Sequence, residues 1–177
     1  MLRRMFVCAF AAVFMLTVAH SREPRLAAQI PIPLPDGKKI TLQQYRGKVV
    51  LLAIFSTTCS DCIDNMEMLN RVQKDLGPKG FQAIGGAGDD DAQYIVSGFV
   101  QRYKIGFPVG YLTKDQMIAL ADIAPNRRPV APIFLFIDKR GIVRFQYYGD
   151  DSFFKVAAYS ERGTRQTIEG LLKEQFK

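Results

Sequence analysis

The sequence predicts an α/β domain: a mixed central sheet with helices on both faces, preceded by a short N-terminal strand extension. Three observations carry this. The run Val49 to Phe55 is apolar throughout and rich in β-branched residues, as expected of a strand buried on both faces. Behind it Ile63, Met66, Leu69, Val72 and Leu76 recur every three or four residues until Gly77-Pro78 stops the helix. Along the whole chain, apolar strands and amphipathic helices follow one another as β-β-β-α-β-α-α-β-β-α, the order of a sheet covered on two sides.

The 177 residues make one domain's length, and 48% hydrophobic with 23% charged residues is ordinary globular composition. Ahead of the domain, Leu2-Arg3-Arg4 gives a positive start, Met5 to Ala19 is apolar but for Thr17, and small residues follow. Residues 1–21 therefore read as a secretory signal, with cleavage after Ala19 or after Ser21. An uncleaved membrane anchor is the rival reading, although the run falls short of the ~20 residues that span a bilayer. Either way the domain is expected outside the cytoplasm, as in the periplasm. Cys8 lies inside the run without a lipoprotein-type motif before it and is read as packing. Removing the signal takes two of the 24 basic residues and none of the 17 acidic ones, leaving a net charge of +5. Without a dense Lys/Arg stripe, this balance gives no support to a nucleic-acid partner.

Residues 22–29 are polar and irregular, a linker to a domain over 30–177. From Ile30 to Leu42 two short edge strands are expected around the turn Pro35-Asp36-Gly37, because proline cannot donate to a central ladder. After the central strand and its helix, Phe81 to Ile84 is a second strand. Ala92, Ile95, Val96, Phe99, Val100 and Tyr103 share one face of a helix over 91–103. Phe107 to Gly110 is briefly extended, and Thr113 with Gln116 forms a capping box opening a helix to Asp122. A proline-rich loop over 124–132 leads into the strand Ile133 to Ile137, which turns at Asp138-Lys139-Arg140-Gly141 into Ile142 to Tyr148. Residues 150–163 read as irregular, and a last helix carries Ile168, Leu171, Leu172 and Phe176.

The chemistry concentrates where the central strand ends, at Cys59-Ser60-Asp61-Cys62. Cys59 falls at or beside a helix N-terminus, where free amides and the positive dipole end favour a thiolate. Once the signal is gone these are the only cysteines, and the one histidine, His20, is lost or left at the new terminus. That excludes Ser/His/Asp hydrolysis, a papain-like Cys/His pair and the usual zinc sites, each of which needs an imidazole or more thiolates. No cofactor or metal is expected. A C-x-x-C loop is also a poor structural staple, since it removes little chain entropy. Gly85-Gly86-Ala87-Gly88 after a strand suggests a phosphate cradle, but Asp89, Asp90 and Asp91 at the following helix start would repel phosphate. The triplet also lacks the ligand spacing of a calcium loop. Arg127 and Arg128 read as a solvated loop face; the alternative is that they border a substrate groove.

Gly47-Lys48-Val49-Val50-Leu51-Leu52, the Cys59/Cys62 pair, Phe99-Val100-x-x-Tyr103-x-Ile105-x-Phe107-Pro108-Val109 and Pro132-x-x-Leu135-Phe136-Ile137-Asp138 together resemble the extracytoplasmic thioredoxin-like proteins of the TlpA/ResA type. The resemblance covers roughly residues 30 to 149. It implies a thioredoxin fold, with Cys59 as attacking thiol, Cys62 as resolving thiol, and Ala131-Pro132 as a cis-proline peptide that faces the dithiol and lines the bound substrate. Where relatives usually carry Trp before the first cysteine and Pro before the second, this chain has Thr58 and Asp61. A glutamate that many relatives place three residues after the second cysteine is Asn65, and the helix proline two residues further on is Glu67. Thr58, Asp61 and Asn65 are therefore the expected tuning positions.

The expected activity is reduction of protein disulfides: Cys59 attacks, a mixed disulfide forms, and Cys62 releases it. Asp61 opposes ionisation of Cys59 by like-charge repulsion, which disfavours the reduced anionic form and makes the dithiol a donor rather than a strong oxidant. Arg127 and Arg128 would offset this if their loop covered the site. Such a reductant needs a membrane-bound or other thiol electron donor. Two rivals remain. A peroxiredoxin-like peroxide reductase needs a proline and a threonine upstream of its cysteine, where Leu52 and Ser56 stand. A copper(I)-handling module would hold its metal between the two thiolates.

Overall fold

The computed structural model describes residues 24–175; the segment read as a signal, with Cys8 and His20, and Phe176 lie outside them. The strands are β1 (Arg25–Leu26), β2 (Ile32–Pro33), β3 (Lys39–Ile40), β4 (Val49–Phe55), β5 (Phe81–Ala87), β6 (Val109–Tyr111), β7 (Ile133–Ile137) and β8 (Ile142–Tyr148). The helices are α1 (Ser60–Leu76), α2 (Ala92–Arg102), α3 (Lys114–Ala121) and α4 (Ala157–Lys173). Six strands form one sheet in the order β1-β8-β7-β4-β5-β6, while β2 and β3 pair as a separate hairpin. β5 runs parallel to β4 and β6 parallel to β5, whereas β7 is antiparallel to both β4 and β8. This is the mixed sheet of a thioredoxin fold.

β4 is buried along its whole length because both faces of the sheet are covered. Its alternate side chains go to different cores. Val49, Leu51, Ala53 and Phe55 pack with Met66, Leu69 and Val72 of α1, Val96 and Phe99 of α2, and Ile168 of α4. Val50, Leu52 and Ile54 pack on the other side with Leu120 of α3, Ile32 of the hairpin, and Leu42.

Three stretches differ from the sequence reading. The linker contains β1, which adds an antiparallel edge to β8 through backbone bonds that leave no side-chain pattern. β5 is longer than expected: read as ending at Ile84, it takes in Gly85, Gly86 and Ala87. A Cβ on Gly85 would crowd Met66 and Val109, and one on Gly86 would crowd Leu112; the glycines let α1 and the 112 segment lie close to the sheet. The final helix begins at Ala157, inside the stretch read as irregular. Its first turns pack through Ser160 and Thr164, both buried, rather than through apolar residues, so the apolar period shows only from Ile168. Ion pairs Arg71–Glu161 at 2.8 Å and Arg165–Asp75 at 3.0 Å hold this helix to α1.

At the far end of the sheet from the cysteines, Asp138 is buried in the β7–β8 turn. Its carboxylate accepts the backbone N–H of Arg140 at 2.9 Å and of Ile142 at 3.0 Å, and pairs with Arg140 at 3.1 Å and Arg144 at 3.2 Å. Burial pushes its carboxyl up, but the Ile142 amide and the two guanidiniums outweigh burial and hold it below the ordinary range. A depressed carboxyl contributes stability that is complete above the unfolded value of about 3.9 and is lost as pH falls through the folded one. Asp138→Ala is expected to lower urea stability at pH 7 by about 2 kcal/mol, because the Arg140 and Ile142 N–H groups lose their acceptor and the two arginines lose a buried carboxylate. The gap from wild type should shrink below about pH 4.

Candidate active site

Sheet register builds the site. β4 pairs with β7 so that Ile54 lies opposite Ile133. Carried past the end of the ladder, that register sets Ser56 and Phe55 beside Ala131 and Pro132. On the other side of β7, Ile133 lies opposite Tyr148, which brings Gly149 beside Pro132. On the other side of β4, Phe55 lies opposite Ala87, which brings Asp89 level with Thr57.

Cys59 is the N-cap of α1: its backbone is extended, and its Sγ accepts the backbone N–H of Cys62 at 3.3 Å. A sulfur thus takes the place of the oxygen that usually caps a helix. Cys62, one turn in, is fully buried, whereas Cys59 is partly exposed, and both are free thiols. Burial, then the hydrogen bond with Cys59, pushes the Cys62 thiol far above its ordinary value, and the charge of Asp61 acts in the same direction. The loop leading to Cys59 is braced from β5's end. Ser56 Oγ donates to Asp89 Oδ1 at 2.6 Å and the Thr57 N–H donates to Asp89 Oδ2 at 2.9 Å.

The Ala131–Pro132 peptide is cis. It separates two concavities. On the Ala131 side, between α3 and the 123–131 loop, lies a cavity of about 660 Å³ with walls including Ile54, Phe55, Met117 and Ile123. On the Pro132 side lies a polar cleft of about 670 Å³ reached by Asp61, Asp64, Asn65 and Glu67 of α1.

Residues 25–146 match the AhpC/TSA family. The chain belongs to the AhpC/TSA family. Among its relatives, the thiol-disulfide oxidoreductase ResA of Bacillus thuringiensis (strain Al Hakam) is 29% identical over 139 residues, 78% of this chain and 70% of that one. Glutathione peroxidase 7 of Mus musculus is 30% identical over 80 residues, 41% of this chain and 43% of that protein. A crystal structure of a thiol:disulfide interchange protein of the thioredoxin family from Chlorobium tepidum TLS superposes with a TM-score of 0.70 at 21% identity, covering 85% of this chain and 98% of that one. The likeness establishes the thioredoxin fold for this AhpC/TSA member.

Of the residues singled out in the sequence, Cys59, Cys62, Thr58, Asp61, Asn65, Ala131 and Pro132 come together at this end of the sheet. Asn65 is half-buried at the edge of the cleft. Its side chain donates to the Asp61 carbonyl at 2.7 Å and accepts from Ser160 Oγ at 3.2 Å, tying α1 to α4. Thr58 Oγ1 lies 3.1 Å from Ser56 Oγ in the loop before the cysteines. At the positions weighed for a peroxide site, Leu52 is buried within β4 and the Ser56 hydroxyl is committed to Asp89. Arg127 pairs with Asp150 at 3.2 Å and stacks on Tyr148 at 3.7 Å, where it borders the apolar cavity; Arg128 is exposed. Three contributors had no signal in the sequence: Asp89, Gly149 and Ser160. Asp89 stood in a triplet that looked like a helix-end charge cluster. Gly149 stood after a strand as any turn glycine would.

Gly149 donates its N–H to Val130 O at 2.8 Å, and a Cβ there would collide with the Ala131 carbonyl. The clash is with backbone, so it is not relieved by a rotamer change. Gly149→Ala is expected to destabilise the fold by more than about 1 kcal/mol in urea and to slow insulin reduction. For the cysteines, alkylation at limiting iodoacetamide and neutral pH should label Cys59 first, because Cys62 is buried and held as a thiol. Mass spectrometry of the singly labelled protein reads the site, and labelling of Cys62 first would reverse the assignment of the two sulfurs.

Proposed function

We propose that this thiol-disulfide oxidoreductase works outside the cytoplasm and reduces protein disulfides through Cys59 and Cys62. The observation that carries the reading is the asymmetry of the pair: an accessible sulfur capping α1 and a buried, protonated thiol one turn behind it, beside the cis Ala131–Pro132 peptide. The Cys59 thiolate attacks one sulfur of the substrate disulfide; that S–S bond breaks, a mixed disulfide forms, and the second substrate sulfur leaves as a thiolate. Cys62 then gives up its proton and attacks Cys59 Sγ. The partner departs as a dithiol, its first thiolate protonated by water, and the enzyme keeps the disulfide, two electrons having moved to the substrate. Among the described residues no histidine stands beside Cys62 and the relatives' glutamate is Asn65, so the departing sulfur is the acceptor we assign to its proton. A membrane-bound or other thiol donor restores the dithiol.

Placement outside the cytoplasm rests on the signal-like residues 1–21. Among the described residues no helix is long and apolar enough to cross a membrane. The direction of transfer is supported by charge: Asp61 sits between the cysteines, while Arg127 is engaged by Asp150 and Tyr148 rather than laid over the dithiol. Cys62→Ser is expected to hold its partners as mixed disulfides on Cys59, identified by mass spectrometry after trapping. In glutathione buffers the midpoint potential should fall below about −180 mV, on the thioredoxin side of the isomerases. A higher midpoint would exclude the reductant direction; absence of any trapped adduct would exclude the dithiol mechanism.

A further inference from the structure

We propose that the apolar cavity beside Ala131 is a specificity pocket for one large apolar side chain of the disulfide-bearing partner, with a neighbouring carboxylate of that partner against Lys114. The identity of the occupant rests on the reductase reading above.

The cavity, at about 660 Å³, is of the size that binds ligands, and it opens next to the dithiol loop because Phe55 and Ser56 form part of its wall. β4 contributes Ile54, α3 contributes Met117 and Ile118, and the loop before Pro132 contributes Ile123 and Pro125. The apolar wall reaches the surface: Ile118 of α3 is 38% exposed, and Val130, in the loop before Pro132, is 41% exposed. Met117 gives the pocket an adaptable wall. Its sulfur occupies the space a side chain at Gly88 would take, and an unbranched thioether repacks readily around a guest.

Chain geometry says how a partner would reach it. Ala131 and Ile133 line the cavity while Pro132 lines the opposite cleft, the two-residue alternation of extended backbone. A partner strand paired along Ala131 alternates in the same way, sending successive side chains to one side and then the other. The Pro132 side presents Asp61, Asp64 and Glu67, which do not suit an apolar guest, so the large apolar residue belongs on the Ala131 side. Lys114 lines that cavity at the start of α3 and forms no ion pair among the described residues. It therefore complements an acidic residue two positions from the apolar one, which the alternation puts on the same side.

The test uses synthetic peptides with one internal disulfide that carry Phe or Ala beside the cysteine and Glu or Lys two positions further on. Binding is measured by calorimetry on the Cys59→Ser chain and reduction on the wild-type chain. The peptide with Phe and Glu is expected to bind about tenfold or more tighter than the one with Ala and Glu. Ile118→Asp should abolish the preference for Phe, and Lys114→Glu should invert the preference for Glu over Lys. Equal binding of the Phe and Ala peptides, or a Phe preference that survives Ile118→Asp, would overturn the pocket. The two readings separate cleanly: preferential binding with no reduction of any peptide leaves the pocket and removes the reductase reading. Equal binding with reduction of all peptides does the reverse.

Discussion

The antiparallel register of β4 against β7 is the constraint on which the site depends. With Ile54 opposite Ile133, the chain leaving β4 and the chain entering β7 meet at one end of the sheet, and this register brings the dithiol and Ala131–Pro132 to the same end. A slip of one residue would exchange the two cores that β4 feeds. Both faces are apolar, so polarity does not forbid the slip; volume does. Phe55 and Ala53 are shaped to α1 and α2, and the small Gly85 next to Ala53 leaves room for Met66. The neighbouring registers then place the supports: Gly149 through β8 and Asp89 through β5.

One helix end makes two unlike sulfurs. In a C-x-x-C sequence whose first cysteine is the N-cap, the second occupies the third helical position, whose N–H is free and points back at the cap. The same turn that aims this N–H at Cys59 Sγ rotates the Cys62 side chain into the core with Met66 and Leu69. Spacing, exposure and the raised Cys62 thiol are therefore consequences of a single local geometry, and Asp61 adds its charge from the position between them.

What could be read from the sequence was local. The apolar run of β4, the period of α1, the Thr113/Gln116 capping box and the turn before β8 all depend on residues within a few positions of each other, and each formed as read. Asp89, Gly149 and Ser160 act on residues some 18 to 95 positions away, through an accepted hydroxyl, a missing Cβ and a hydroxyl shared with Asn65. Nothing in their own neighbourhoods marks them. The early start of α4 was hidden for a related reason: Ser160 and Thr164 are buried where the apolar period requires hydrophobic residues, and helix-to-helix ion pairs supply part of what burial of leucines would have done.

The division of labour around Ala131–Pro132 follows from the same architecture. α1 must turn Cys62, Met66 and Leu69 inward, and at three-residue steps this turns Asp61, Asp64 and Glu67 outward onto the cleft beside Pro132. α3 lies on the other side of the sheet, is only eight residues long, and buries Leu120 and Ala121 while leaving Met117 and Ile118 at the cavity. The helix that carries the sulfurs cannot change its inward face without disturbing the chemistry. α3 and the 123–131 loop supply neither sulfur, so their cavity-facing side chains can vary with the partner while the dithiol stays as it is.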